Sequence, residues 1–193
     1  MPLVVPRYTL SDLASFPDDG SRYELLDGLL LVTPAPALPH ERVVARIVRA
    51  LTGYLPADLA EVFARGSVEV EPNVHLEPDV LVVPSGELAA RTSSDARWTD
   101  IRRWWLAVEV SGEGSSLYDR DYKGPAYLAL GVREMWRVDL RERCVFVSRP
   151  GVSEVRHADV VAWHPAERPE PLLLTVPELF NSPSSPRAPY SAT

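Results

Sequence analysis

The chain has 193 residues, 46% of them hydrophobic, which suffices for one well-buried core and makes a second core unnecessary. Its formal net charge of -7 argues against a surface that grips duplex nucleic acid by bulk positive charge, and its single cysteine, Cys144, excludes an intramolecular disulfide. No apolar run approaches the ~18 residues of a membrane span, and the start, Met1 to Arg7, has no basic leader before an apolar core, so a cytoplasmic protein without membrane association is expected.

In chain order, Thr9 to Phe16 reads as a short helix capped by Thr9 or Ser11. Two apolar runs around Asp27-Gly28, within Arg22 to Val32, predict a β-hairpin, because this dipeptide favours a tight turn with positive φ. Pro34, Pro36 and Pro39 then keep the chain extended up to His40. Val43, Val44, Ile47, Val48, Leu51 and Leu55 recur at helical spacing and predict the first main helix, stopped near Gly53 and Pro56. Strands are expected over Glu61–Val70, Asp79–Val83 and Trp104–Val110, and the link from Pro84 to Asp100 has the composition of a mobile loop. A helix is expected within Asp119–Leu130, ended at Gly131, followed by a strand over Glu134–Leu140 and a hairpin of Cys144–Val147 with Ser153–His157. The end is proline-rich. The expected organisation is one domain over residues 1–180 and a Pro/Ser-rich tail over 181–193. The fold class that follows is α/β (α+β), a mixed β-sheet flanked by helices with an N-terminal β-hairpin extension.

Two strands carry an acid among aliphatic residues: Asp79 before Val80-Leu81-Val82-Val83, and Glu109 between Val108 and Val110. A buried unpaired carboxylate is costly, so two such acids followed by Lys123 point to a shared cation. If the strands are neighbours, both acids could converge on one Mg²⁺ or Mn²⁺, which prefers oxygen ligands. Lys123 could orient an attacking water or neutralise charge on a phosphate. By the same reasoning, removing either acid should relieve repulsion and leave the fold intact. Glu24, on the hairpin, is a further candidate ligand, and His40, at the helix start, a weaker one. Tyr127, Glu134 and Trp136 are assigned to packing. Arg42, Arg46 and Arg49 share helical spacing, and Arg97, Arg102 and Arg103 cluster before the second acidic strand; both groups read first as solvated faces.

Pro78-Asp79, Glu109-Val110-Ser111, Asp119, Lys123, Tyr127 and the run Gly131-Val132-Arg133-Glu134-Met135-Trp136 resemble, in this order, the Uma2 family (formerly DUF820) of restriction-endonuclease-like proteins in the PD-(D/E)XK nuclease superfamily. The likeness extends upstream to Tyr23-Glu24-Leu25-Leu26-Asp27-Gly28 and Pro34-Ala35-Pro36, and so covers nearly all of residues 8–180. It implies a restriction-endonuclease-like core with Asp79 and Glu109 as metal-binding acids. The superfamily lysine lies two residues after the second acid, where this chain has Ser111, and the resemblance implies its transfer to the next helix as Lys123. Gly112 stands where the family usually has proline, and Gly124-Pro125 interrupts the helix after the lysine, which suggests a restart with Lys123 in the first turn. The implied function is a metal-dependent endonuclease acting on DNA, with a homodimer compatible with cutting two strands. The alternative is a nuclease fold that has lost its chemistry and serves as a nucleic-acid or protein-binding module.

Overall fold

The computed structural model describes residues 5–89, 91–112 and 115–181. The Pro/Ser-rich tail expected at the C-terminus lies, from residue 182 onward, outside the described residues.

Thr9 caps α1 (Leu10–Leu13), its N–H and hydroxyl both donating to the Asp12 carboxylate. The hairpin forms as expected, with β1 (Arg22–Leu26) and β2 (Leu29–Thr33) joined through Asp27 and Gly28 at φ 49° and 77°. Both values are positive, the requirement that selects Asp-Gly for a two-residue turn. The amphipathic helix α2 (Leu38–Tyr54) buries Val43, Val44, Ile47 and Leu51.

The expected strand over 61–70 is two strands belonging to different sheets, β3 (Ala60–Ala64) and β4 (Val68–Val70). The chain leaves the first sheet at Arg65, where φ is 61°, and at Gly66, where a Cβ would sit 3.0 Å from that of Phe63. A short strand not anticipated, β5 (Val74–Leu76), pairs with both β1 and β4. β6 (Val80–Pro84) and β7 (Leu106–Ser111) are buried along their whole length, which explains their nearly uninterrupted apolar sequence. The link between them is anchored: α3 (Ser85–Leu88) carries buried Glu87, whose carboxylate accepts from Arg102 N at 3.0 Å and Arg103 Nε at 2.6 Å. That contact, with an Arg97–Asp100 cap, accounts for the second arginine cluster structurally.

After β7 come α4 (Ser116–Tyr118), a π-helical turn over Asp119–Lys123, and α5 (Gly124–Ala129). The chain therefore stays helical through Gly124-Pro125. The wide turn closes on Asp119 O, which accepts from Gly124 N, and a Cβ at Gly124 would lie 3.1 Å from that oxygen. Pro125, with no N–H to donate, is accommodated in the first turn of α5. β8 (Met135–Asp139), β9 (Cys144–Arg149) and β10 (Val152–His157) follow. The proline-rich end contains β11 (Val160–Trp163), β12 (Leu172–Thr175) and α6 (Val176–Phe180).

The architecture is α+β. A six-stranded sheet has the order β10-β9-β8-β7-β6-β3, with only the β7–β8 pair parallel. That parallel pair follows from the helical crossover between β7 and β8. A four-stranded sheet, β2-β1-β5-β4, and the β11–β12 ribbon complete it. Strand alternation divides the core. Val80, Val82, Leu106, Val108 and Val110 pack with α2 on one face, and Leu81, Val83 and Ala107 pack with Tyr127, Met135 and Leu76 on the other.

Candidate active site

Period-two alternation determines where the two strand acids point. Val80 pairs with Val108 in the antiparallel β6–β7 ladder; Asp79 precedes the first of these and Glu109 follows the second. Glu109 projects from the face that carries Ala107, and Asp79, at the entry to β6, lines the same cavity as Glu109. Asp79 also finishes the ladder with its side chain: Oδ2 accepts from Val110 N at 2.7 Å.

β1 delivers two residues to the same place, because Arg22 and Glu24 are two apart and share a face. Arg22 Nη1 lies 2.6 Å from Asp79 Oδ1, and His40 Nε2, from the first turn of α2, lies 2.9 Å from Oδ2. Glu24 is fully buried; its Oε1 accepts from Glu77 N at 2.8 Å and its Oε2 lies 2.5 Å from Lys123 Nζ. The Lys123 amine also lies 3.2 Å from Glu109 Oε1 and 3.7 Å from Asp119 Oδ1. Asp119 Oδ2 accepts from Ser111 Oγ at 2.8 Å, so Ser111 at the end of β7 holds the acid that lies beside Lys123.

Two further residues belong to this cluster. Tyr127, assigned to packing from its sequence position, donates its hydroxyl to Glu109 Oε1 at 2.6 Å. Arg22 carried no signal beyond membership of the hairpin; the period shared with Glu24 was the available clue. Arg22, His40, Asp79, Glu109, Asp119 and Lys123 line a cavity of about 240 Å³ whose outer wall includes Val32, Pro34, Pro36 and Leu140. Glu24 lies behind Lys123 and is not part of that lining.

The electrostatics divide the two acids. Burial would raise the Asp79 carboxyl, but the His40 hydrogen bond and the Arg22 charge hold it below its ordinary value. Glu109 goes the other way: burial pushes it well above the usual carboxylate range, Lys123 opposes this, and Asp119, Asp79 and Glu24 add to it. Burial alone would depress the Lys123 amine, yet Glu109, Glu24 and Asp119 raise it above its normal value, so it is an ammonium. Burial and the Glu109 charge push the Tyr127 phenol well up and keep it a donor.

The family model described as "Putative restriction endonuclease", named Uma2, matches residues 10–181. The chain belongs to the Uma2 family. Among solved structures, this Uma2 protein is similar to one described as a putative nuclease belonging to DUF820 from Anabaena variabilis ATCC 29413, at 18% identity and a TM-score of 0.73. The match covers 90% of this chain and 97% of that one, and it shows that the two share a fold. No curated protein matches the sequence.

The divalent metal that the Uma2 fold implies would meet the carboxylate oxygens of Asp79 and Glu109 in this cavity. Asp79 Oδ1 is buried with a cation beside it but no aligned hydrogen bond, and both hydrogen bonds to Glu109 fall on Oε1, leaving Oε2 without one. Two hard oxygen donors, one just before β6 and one on β7, fit magnesium or manganese. Among the described residues no three His, Cys, Asp or Glu side chains form a ready metal cluster, so water and substrate oxygens would have to supply the rest of the shell. No helix among the described residues is long and apolar enough to cross a membrane.

Proposed function

We propose that this Uma2 protein is a metal-dependent endonuclease that hydrolyses DNA phosphodiester bonds. The observation that carries the reading is that Asp79, immediately before β6, and Glu109, on β7, line one cavity, with Lys123 on Glu109. Asp79 and Glu109 would hold Mg²⁺ or Mn²⁺, which when bound supplies charge neutralisation at the phosphate and a more acidic water. Lys123 presents a fixed positive charge where negative charge grows on the phosphate, the arrangement that lowers a barrier most because it needs no reorganisation. Glu24 and Asp119 are positioning residues that hold its amine from behind and beside. Tyr127 holds the Glu109 carboxylate, and Arg22 with His40 holds that of Asp79. In hydrolysis the water oxygen forms a new bond to phosphorus, one ester P–O bond breaks, and the departing oxygen takes up a proton. Cutting both strands symmetrically would call for two copies of the chain.

One observation favours a second reading, a non-catalytic nucleic-acid or protein-binding module: each acid is already matched by cations of the chain itself, Asp79 by Arg22 and His40, Glu109 by Lys123. Plasmid nicking separates the two. The endonuclease should nick supercoiled DNA in magnesium or manganese, lose this in EDTA, and lose it on Glu109→Gln. A folded parent that nicks in neither metal would leave the binding module.

A further inference from the structure

A second cavity of about 250 Å³ adjoins the first, sharing Leu140 with it and lined by Arg42, Arg46 and Arg143. The same two elements bound both. α2 presents His40 to the first cavity and Arg42 and Arg46, four residues apart on one face, to the second. The β8–β9 turn is built by Asp139, whose Oδ1 accepts from Arg141 N and Glu142 N, and it places Leu140 between the cavities and Arg143 at φ 52° on the far side.

In a chain of net charge -7, three arginines and, among the described residues, no acidic side chain line this cavity. None of the three forms an ion pair with a carboxylate among the described residues. Arg46 Nη1 donates to Leu179 O at 2.6 Å and Arg143 Nη2 to Asn181 Oδ1 at 3.1 Å, which fixes both side chains while leaving most of their five donors unused. Arg143 also lies over the Phe180 ring at 5.1 Å. Arg42 is exposed and forms no side-chain hydrogen bond among the described residues. Two held guanidinium groups and the exposed Arg42, with no carboxylate partner among the described residues, have the donors to take an anion, and their planar fork suits phosphate oxygens.

Resting on the endonuclease reading, we infer that Arg42, Arg46 and Arg143 form a subsite for a backbone phosphate of the DNA strand whose scissile phosphate enters the neighbouring cavity. This resolves the conflict between an acidic protein and a polyanionic substrate, because the positive charge is concentrated where the strand leaves the acid pair. The subsite reads no sequence and sets the register of the strand.

The test measures binding of a short fluorescein-labelled duplex oligodeoxynucleotide by anisotropy across a salt series, with calcium replacing magnesium. Arg42→Gln combined with Arg143→Gln should weaken binding about tenfold or more and reduce the slope of log K against log salt by about one unit. Arg42→Lys, which keeps the charge, should retain the slope. Arg49→Gln, farther along α2 and outside the cavity, should lower affinity far less. Circular dichroism confirms that each variant is folded. Unchanged binding in the double variant, an equal loss with Arg49→Gln, or no DNA binding by the parent would each overturn the subsite. A parent that binds DNA and loses affinity as expected in the double variant, but nicks in neither magnesium nor manganese, supports the subsite and refutes the endonuclease reading.

Discussion

Asp79→Asn and Glu109→Gln should both abolish magnesium-dependent nicking yet affect stability in opposite ways. Asp79 accepts from Val110 N at 2.7 Å and is flanked by Arg22 Nη1 at 2.6 Å and His40 Nε2 at 2.9 Å. Removing its charge leaves Arg22, only 7% exposed, without an ion-pair partner among the described residues. Breaking such a buried pair from one side costs about 3–5 kcal/mol. At roughly 2–4 °C per kcal/mol for a domain of this size, Tm should fall by about 6–20 °C. Glu109 already stands at a disadvantage as an anion, through burial and the charges of Asp119, Asp79 and Glu24. Its amide replacement still accepts from Tyr127, and Lys123 keeps Glu24 at 2.5 Å. Its Tm should therefore stay within about 4 °C of the parent or rise. The sequence alone predicted relief of repulsion for both acids; the structure restricts that relief to Glu109. The pH dependence follows the same division. The lowered Asp79 value contributes stability above the ordinary carboxylate range that is lost as pH falls through its folded value, so Asp79→Asn should flatten the acid limb. The raised Glu109 value contributes the reverse, a stability lost as pH rises through its folded value. Differential scanning calorimetry from acid to neutral pH reads both effects, and equal destabilisation by the two substitutions would refute the electrostatic assignment.

Lys123→Ala should lower single-turnover cleavage by ~10²-fold or more while DNA affinity in calcium changes little; cleavage at the parental rate would remove Lys123 from the chemistry. Tyr127→Phe should reduce kcat more than it raises KM and cost about 1 kcal/mol of stability, since the bond lost is one donor on a buried carboxylate; urea unfolding and steady-state kinetics check this. His75, outside the lining of the cavity that holds Asp79 and Glu109, sits 2.9 Å from Glu69 Oε1 and 3.2 Å from Glu77 Oε1, and although burial opposes it these acids raise its value to about 9. A raised histidine contributes stability that is complete below its unfolded value, about 6.5, and lost as pH rises through 9. The urea midpoint of the parent should therefore exceed that of His75→Gln at pH 6 and converge with it near pH 10, and a constant difference would contradict the pairing.

The elements legible in the sequence were those whose determinants are local. Asp27-Gly28 required its own positive φ values, α2 carried a full apolar face, and β6 and β7 were apolar on both sides because both of their faces are covered. An acid at the entry to the first of those strands and another inside the second were anomalous without any partner in view, which is why Asp79 and Glu109 could be named, and Lys123 was carried by the family resemblance. Tertiary structure decided what meets them. The β6–β7 ladder brought Asp79 to the cavity that Glu109 lines, and strand pairing between β1 and β5 brought Glu24 within 2.5 Å of a lysine on another element. Arg22 and Tyr127 lie 57 and 18 residues from the acids they touch, Arg22 from Asp79 and Tyr127 from Glu109, and a salt bridge or a hydroxyl donor leaves no periodicity to read. The split of β3 from β4 turned on a single positive φ at Arg65, and the pairing of β11 with β12 depended on residues on either side of a proline-containing link. The arginine spacing of α2 was likewise visible as a helical stripe, but only the β8–β9 turn, folded back beside it, made that stripe one wall of a cavity. Local sequence determines how each segment is shaped and which face it buries; long-range packing determines which charges share a space, because that depends on registers and crossovers that bind residues far apart in the chain.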